Sequence, residues 1–170
     1  MLEIMLWACW LSPITGFFLA PFLIKYLKKI GVYIQPIYTL ISAIISSFLI
    51  IQFLEHGVIH KTFTWIPQFG INIGFYLDAL SAIMINVVSW VAFLIMVYSV
   101  KYMEKEPGLI RFWMMMNLFV GGMLLLILSD NFVQMFIGWE LVGITSYSLI
   151  GHYYTDEEKY WVLKLSLIHI

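Results

Sequence analysis

Hydrophobic and polar positions in this chain fall into long blocks separated by short polar joints. Five apolar blocks, at about 4–24, 36–54, 79–100, 112–129 and 132–154, reach or approach the roughly 20 residues that a helix needs to cross a bilayer. The first block carries Pro13 and Pro21, and kinks at prolines are tolerated in membrane helices. It has no basic leading region, Glu3 being its one early charge, and no small-x-small cleavage site, so it reads as a retained span. The segment 61–78 follows a different rule. Phe63 and Trp65 alternate with threonines, and after Pro67-Gln68-Phe69-Gly70 the apolar residues Ile71, Ile73, Phe75 and Leu77 continue with period two. Alternation around a Pro/Gly turn predicts a short outer β-hairpin; an irregular loop lying on the membrane surface fits the same residues. The expected fold class is all-α integral membrane, with about five transmembrane helices in a single membrane domain and the short outer β-hairpin between helices 2 and 3.

Composition removes the soluble alternatives. Hydrophobic residues make up 62% and charged residues 11% of the chain, against about 45–50% and 25% in soluble domains. At a mean hydropathy of +0.93, too few polar side chains remain to cover a water-facing surface or to keep the chain disordered. Nine Lys and Arg against ten Asp and Glu leave no basic face for nucleic acid. Cys9 is the single cysteine, so no internal disulfide or cysteine-based metal centre is expected. Neither GxxxxGK[ST] nor GxGxxG occurs, so no cofactor bound by a recognisable nucleotide motif is expected on this chain.

Loop charges predict an orientation. Lys25, Lys28 and Lys29 follow the first block, and Lys101, Lys105 and Arg111 lie between the third and fourth. The opposite loops carry only Lys61, since Ser129-Asp130-Asn131 has no basic residue. By the positive-inside rule the N-terminus faces out. Trp7 and Trp10 then sit at the outer interface, and Tyr26, Tyr33, Tyr98, Tyr102, Trp113, Tyr153 and Tyr154 at the inner one.

Glu140 is the leading candidate for chemistry. It lies nine residues after Asn131, roughly 14 Å along a helix, and so near the middle of a hydrocarbon core about 30 Å thick. A carboxyl group at that depth must face protein or water, and intramembrane ionisable groups mark functional sites by default. Desolvation favours the protonated form of a carboxyl, which brings its proton exchange toward neutral pH, as a proton relay requires. The competing reading is a protonated acid that only hydrogen-bonds a neighbouring helix. Gly143 and Tyr147 share its face at i+3 and i+7. Gly138, Thr145, Ser146 and Ser148 are read as small residues that let another helix approach closely.

Asp78, which opens the third block with Ser81 three residues on, fits two roles equally: a functional acid at the outer mouth, or a helix N-cap. Asp130 and Asn131 read as turn and cap residues, and Lys101 as a snorkelling interfacial charge. His56 and His60 have metal-ligand spacing but only Glu55 near them, and a solvated loop is preferred; no metal site is expected. His152 lies too far from Glu140 for contact and reads as interfacial. The methionines at 114–116 and Gly121-Gly122 read as packing.

The run LSDNFVQMFIGWELVGITSYSLIGHYYTD, residues 128–156, closely resembles the signature of the antiporter-like membrane subunit L of NADH-quinone oxidoreductase (respiratory complex I), the NADH dehydrogenase subunit 5 family. GFYLDALSAIM (74–84), YSVKYM (98–103) and RFWMMMNLF (111–119) follow the same family in order and spacing. The resemblance covers about residues 60–160, and its GWE-x-VG-x-x-SY-x-LIG core is specific. It implies a proton-translocating membrane-arm subunit, in which Glu140 matches an essential glutamate that pairs with a lysine on a later helix. Asp78 matches the family's aspartate before the third helix. The implied partners are other membrane subunits of complex I and the lipid bilayer. NADH, flavin, iron–sulfur clusters and quinone are expected in the rest of the complex, so any oxidoreductase label belongs to the assembly. The implied location is an energy-transducing membrane: a bacterial or archaeal cell membrane, or an organelle inner membrane.

Family members are roughly three times longer. This chain ends WVLKLSLIHI at the start of a sixth helix, where Lys164 falls at the place of a familial lysine and residues 165–170 depart from the pattern. The expectation is an N-terminal fragment that does not pump protons alone. The large subunit of a multi-subunit Na⁺/H⁺ antiporter is the nearest alternative, but that family favours WELTS where this chain has WELVG at 139–143. A related hydrogenase or carbon-uptake subunit, and a non-transporting structural membrane subunit, are the others.

Overall fold

The computed structural model describes residues 2–153; Tyr154, Lys164 and the tail read above lie outside the described residues. Among the described residues five helices are long and apolar enough to cross a membrane: α1 (Leu2–Leu27), α2 (Lys29–His56), α3 (Ala79–Tyr102), α4 (Leu109–Leu128) and α5 (Phe132–Ile150). Between α2 and α3 runs an antiparallel hairpin of β1 (Ile59–Ile66) and β2 (Ile71–Leu77). Its turn is a single 3-10 turn, Pro67–Phe69, closed by Gly70 at φ 65. Glycine reaches that left-handed conformation without the Cβ clash that other residues meet. The hairpin, not the surface loop, is therefore what the alternation at 61–78 encodes.

The helices have the polarity of lipid-facing elements. Outward positions are large and apolar, such as Phe18, Phe22, Ile41, Phe48, Val87, Leu94 and Phe136. Buried positions are often small or polar, including Gly16, Ala20, Ser42, Ala43, Ser46, Ser89, Ala92 and Ser99. Small residues let membrane helices approach, and hydroxyls find partners inside the bundle. Ser42 Oγ donates to the Cys9 carbonyl at 2.7 Å, and Asn86 Nδ2 donates to Ser47 Oγ at 2.9 Å.

α2 begins seven residues before the apolar block at Pro36. Hydropathy falls there because of Lys29 and Gln35, but Gln35 is fully buried and accepts a 2.9 Å bond from Asn117 Nδ2 of α4. A paired amide can be interior where an unpaired one cannot. Trp113 also departs from expectation. It is completely buried with Ala20, Ile24, Val32 and Met96, and so is a core residue and not an interfacial anchor.

The hairpin caps one end of the bundle. Trp7 packs edge-on against Phe75 with centroids 4.9 Å apart, Trp10 lies 6.2 Å from Phe75, and Lys61 Nζ meets Glu3 at 3.2 Å. Beneath it Leu6, Leu49, Phe75, Leu77, Ile85, Leu124 and Leu128 join α1, α2, α3, α4 and β2 in one core. At the opposite end lie Lys25, Lys28 and Lys29 beside the loop that follows α3.

Candidate functional site

α5 starts cleanly because Asn131 caps it: its Oδ1 accepts from Gln134 N at 2.9 Å. Eight residues beyond Phe132, Glu140 projects from the exposed face of the helix. It borders a cleft of about 580 Å³ whose other walls are Leu126, Phe132, Met135, Phe136 and Trp139. Among the described residues Glu140 makes no hydrogen bond or ion pair. α5 is the least buried of the five spans, packed mainly on α4. A mid-helix carboxylate in an apolar cleft is therefore presented toward whatever covers α5.

The opposite face of α5 is tightly held. Gly138 faces α4 so closely that a Cβ there would fall 2.7 Å from the Leu126 nitrogen. Thr145 is buried and returns its hydroxyl to the Leu141 carbonyl at 2.6 Å. Ser146 likewise bonds back, to the Gly143 carbonyl at 2.9 Å. Gly143 is buried and Tyr147 half-buried, so the boundary between packed and open faces runs beside Glu140.

Asp78 stands at the N-terminus of α3 in a capping box. Its Oδ1 accepts from Ser81 N at 2.8 Å while Ser81 Oγ accepts from Asp78 N at 2.7 Å. The hydrogen bonds from Ser81 hold its carboxyl below the usual carboxylate range. No hydrogen bond or ion pair links it to Glu140: Asp78 lies in a separate cleft beside Ile127 and Met84.

The sequence reading missed the way α5 is tied to the hairpin. Gln134 Oε1 accepts from Gly74 N at 2.9 Å, and its Nε2 donates to Gly74 O at 2.8 Å. Asn131 Nδ2 reaches the Asn72 carbonyl at 2.8 Å, and Phe75 bridges to Ser129. The turn before α5 thus acts as a second partner for β2, on the edge away from β1. Asp130 is more than a turn residue, for its side chain is 5% exposed and sits 3.4 Å from His60 Nε2. His56 closes α2 and His60 lies on β1, so the two share no helix face, and the solvated loop is replaced by defined elements. His152 is buried just beyond the end of α5, and its carbonyl accepts from Arg111 Nη2 at 2.7 Å. The signal available in the sequence was the amide of Gln134, polar in an otherwise apolar helical turn.

At the opposite end Glu104 receives Lys101 Nζ at 2.9 Å and Lys29 Nζ at 3.3 Å. Both lysines hold its carboxyl below the usual range, Lys101 first.

Fold and site together define a polytopic helical membrane protein with an acidic side chain midway along an open helix face. The family model described as NADH-Ubiquinone oxidoreductase (complex I), chain 5 N-terminus, matches residues 63–113. The chain is 41% identical over 124 residues to NADH-quinone oxidoreductase subunit L of Escherichia coli K12, covering 70% of this chain and 20% of that protein. To subunit L of Rickettsia conorii it is 40% identical over 134 residues, 76% of this chain and 20% of the relative. These matches name the subunit that the motifs resemble, and the chain is similar to its N-terminal region. It spans about a fifth of the length of these relatives. Among solved structures, the membrane-bound sulfane sulfur reductase, an archaeal respiratory membrane complex, shares the fold with a TM-score of 0.80 at 23% identity. That match covers 94% of this chain and 32% of that one. The chain is an integral membrane protein.

Proposed function

We propose that this chain forms the N-terminal part of a proton-translocating membrane-arm subunit of an NADH-quinone oxidoreductase, in which Glu140 takes and releases protons. One observation carries the assignment: Glu140 stands mid-span on the open face of α5, beside an apolar cleft and without a partner among the described residues. Lipid is a poor environment for a carboxylate, so this face calls for further protein or water. The similarity to subunit L supports later helices of a longer subunit as that cover. A cation brought near Glu140 favours its ionised form, and withdrawing the cation favours proton uptake. Movement of a charge partner on the open side thereby drives proton exchange, while Gly138 and Gln134 hold the helix on the other. Electron transfer and its cofactors belong to other subunits of the assembly, and the partners of this chain are membrane subunits of that complex. Asp78 is assigned to capping, as its bonds to Ser81 support. The membrane is an energy-transducing one, and the excess of basic residues at the end away from the hairpin supports an N-terminus on the outside.

The test is proton pumping by membranes carrying the full-length parent subunit with Glu140 or Glu140→Gln. Pumping through this route should fall by about a hundredfold, as for loss of a positioned proton-transfer group, with assembly intact. Unchanged pumping would make Glu140 structural.

A further inference from the structure

The basic end holds a second cleft, independent of Glu140, of about 270 Å³. Ile24 of α1, Val32 of α2, Val100 of α3 and Leu109 of α4 form its apolar walls; Lys28 and Lys29 at the α1–α2 joint and Glu104, which holds Lys29 at 3.3 Å, complete the lining. Four helices meet there, and Tyr33 on the lining is exposed.

The α1–α2 joint is unusual. Lys28 has φ 50 and ψ −117, a conformation close to the first corner of a type II′ turn, where glycine is the ordinary occupant. It is the single non-glycine residue with positive φ among those described. A lysine there accepts backbone strain that glycine would avoid, and such strain is often retained at sites with a function. Lys28 also has no acidic partner among the described residues, and Lys25 lies only over the Tyr26 ring, 6.0 Å from its centroid. Glu104 is shared between Lys29 and Lys101, so one carboxylate answers two ammonium groups. Among the described residues this end carries Lys25, Lys28, Lys29, Lys101 and Lys105 against Glu104 and Glu106. At the cleft itself Lys28 and Lys29 stand against Glu104, which leaves a net positive lining.

We infer that this cleft binds an anionic phospholipid, with its phosphate on Lys28 and Lys29 and an acyl chain along Ile24, Val32, Val100 and Leu109. Basic pockets between transmembrane helices suit acidic head groups. The apolar walls distinguish the ligand from a free anion, which would gain nothing from them. Tyr33, at the rim, has the ring-plus-hydroxyl character that favours the head-group layer.

The full chain is reconstituted in phosphatidylcholine doped with phosphatidylglycerol, and retained lipid is counted by native mass spectrometry after detergent extraction. Phosphatidylglycerol should be enriched over phosphatidylcholine, with each lysine contributing about fivefold. Lys28→Gln with Lys29→Gln should abolish the enrichment, and Lys28→Arg should keep it. Lys28→Gly separates folding from binding: relief of the strained joint should raise the unfolding temperature while the enrichment falls about fivefold. Equal retention of both lipids, or enrichment unchanged in the double variant, overturns the inference. Inorganic phosphate displacing the bound lipid at comparable concentration would also overturn it, leaving an anion site without lipid character.

Discussion

Two carboxylates in this chain illustrate how surroundings decide a residue's task. Asp78 is met by an N–H and a hydroxyl from Ser81, and so its charge is spent on the first turn of α3. Glu140 has an apolar cleft in front of it and no partner among the described residues. Asp78→Ala should destabilise the protein by about 1 kcal/mol, the usual cost of a lost N-cap, read as a lower unfolding midpoint in detergent. Because its carboxyl is held below the usual range, its ionised form stabilises the fold at pH above the unfolded-state value. That contribution disappears as pH falls through the lowered folded-state value. Asp78→Asn keeps a capping oxygen without the titration, so its midpoint should lose less between neutral pH and pH of about 3 than the parent's does.

At the level of elements, the side chain of Gln134 does the work of a β-strand. Its amide satisfies both backbone groups of Gly74, which the β1 partner leaves on the outer edge of β2. Gln134→Ala strands a buried N–H and a buried carbonyl, and should cost about 2 kcal/mol or more. Gln134→Glu can still accept from Gly74 N but, when ionised, cannot donate to its carbonyl, so it should not restore the parent's stability. Limited proteolysis at the 67–70 turn should accelerate in both variants; an unchanged rate would mean that the other ties of the hairpin, Lys61–Glu3, His60–Asp130, Asn131–Asn72 and the aromatic contacts with α1, hold it without Gln134. This tie also marks where legibility stopped. The five spans could be read because lipid demands long apolar runs, and the hairpin because Phe63, Trp65, Ile71, Ile73 and Phe75 alternate around Gly70. Glu140 stood out by its charge. Partnerships across the bundle could not be read, since Gln134 meets a residue 60 positions away and Gln35 meets Asn117 at a separation of 82. Hydropathy places Gln35 outside its span, whereas its hydrogen bond with Asn117 brings it inside. Trp113 misled in the same way: an aromatic near a charged loop suggests an interface, and only the packing of α1, α2, α3 and α4 around it shows a core residue.

At the scale of the whole molecule, the bundle is asymmetric from end to end. One end is closed by the hairpin, the α4–α5 turn and the start of α1, tied by Lys61–Glu3, His60–Asp130 and the Trp7–Phe75 contact. The other gathers six basic residues around two short joints. Insertion machinery retains such charge on the cytoplasmic side, so the hairpin end should face outward. In a Cys9→Ala background, Gln68→Cys at the hairpin turn and Lys105→Cys in the α3–α4 loop place single thiols at exposed positions on opposite ends. A membrane-impermeant maleimide added to intact cells should label Gln68→Cys at once and Lys105→Cys only after permeabilisation. The reverse pattern would invert the molecule and put the lysine-rimmed cleft in the outer leaflet. It would leave the packing untouched, because the ties that close each end depend on the fold and not on the side of the membrane.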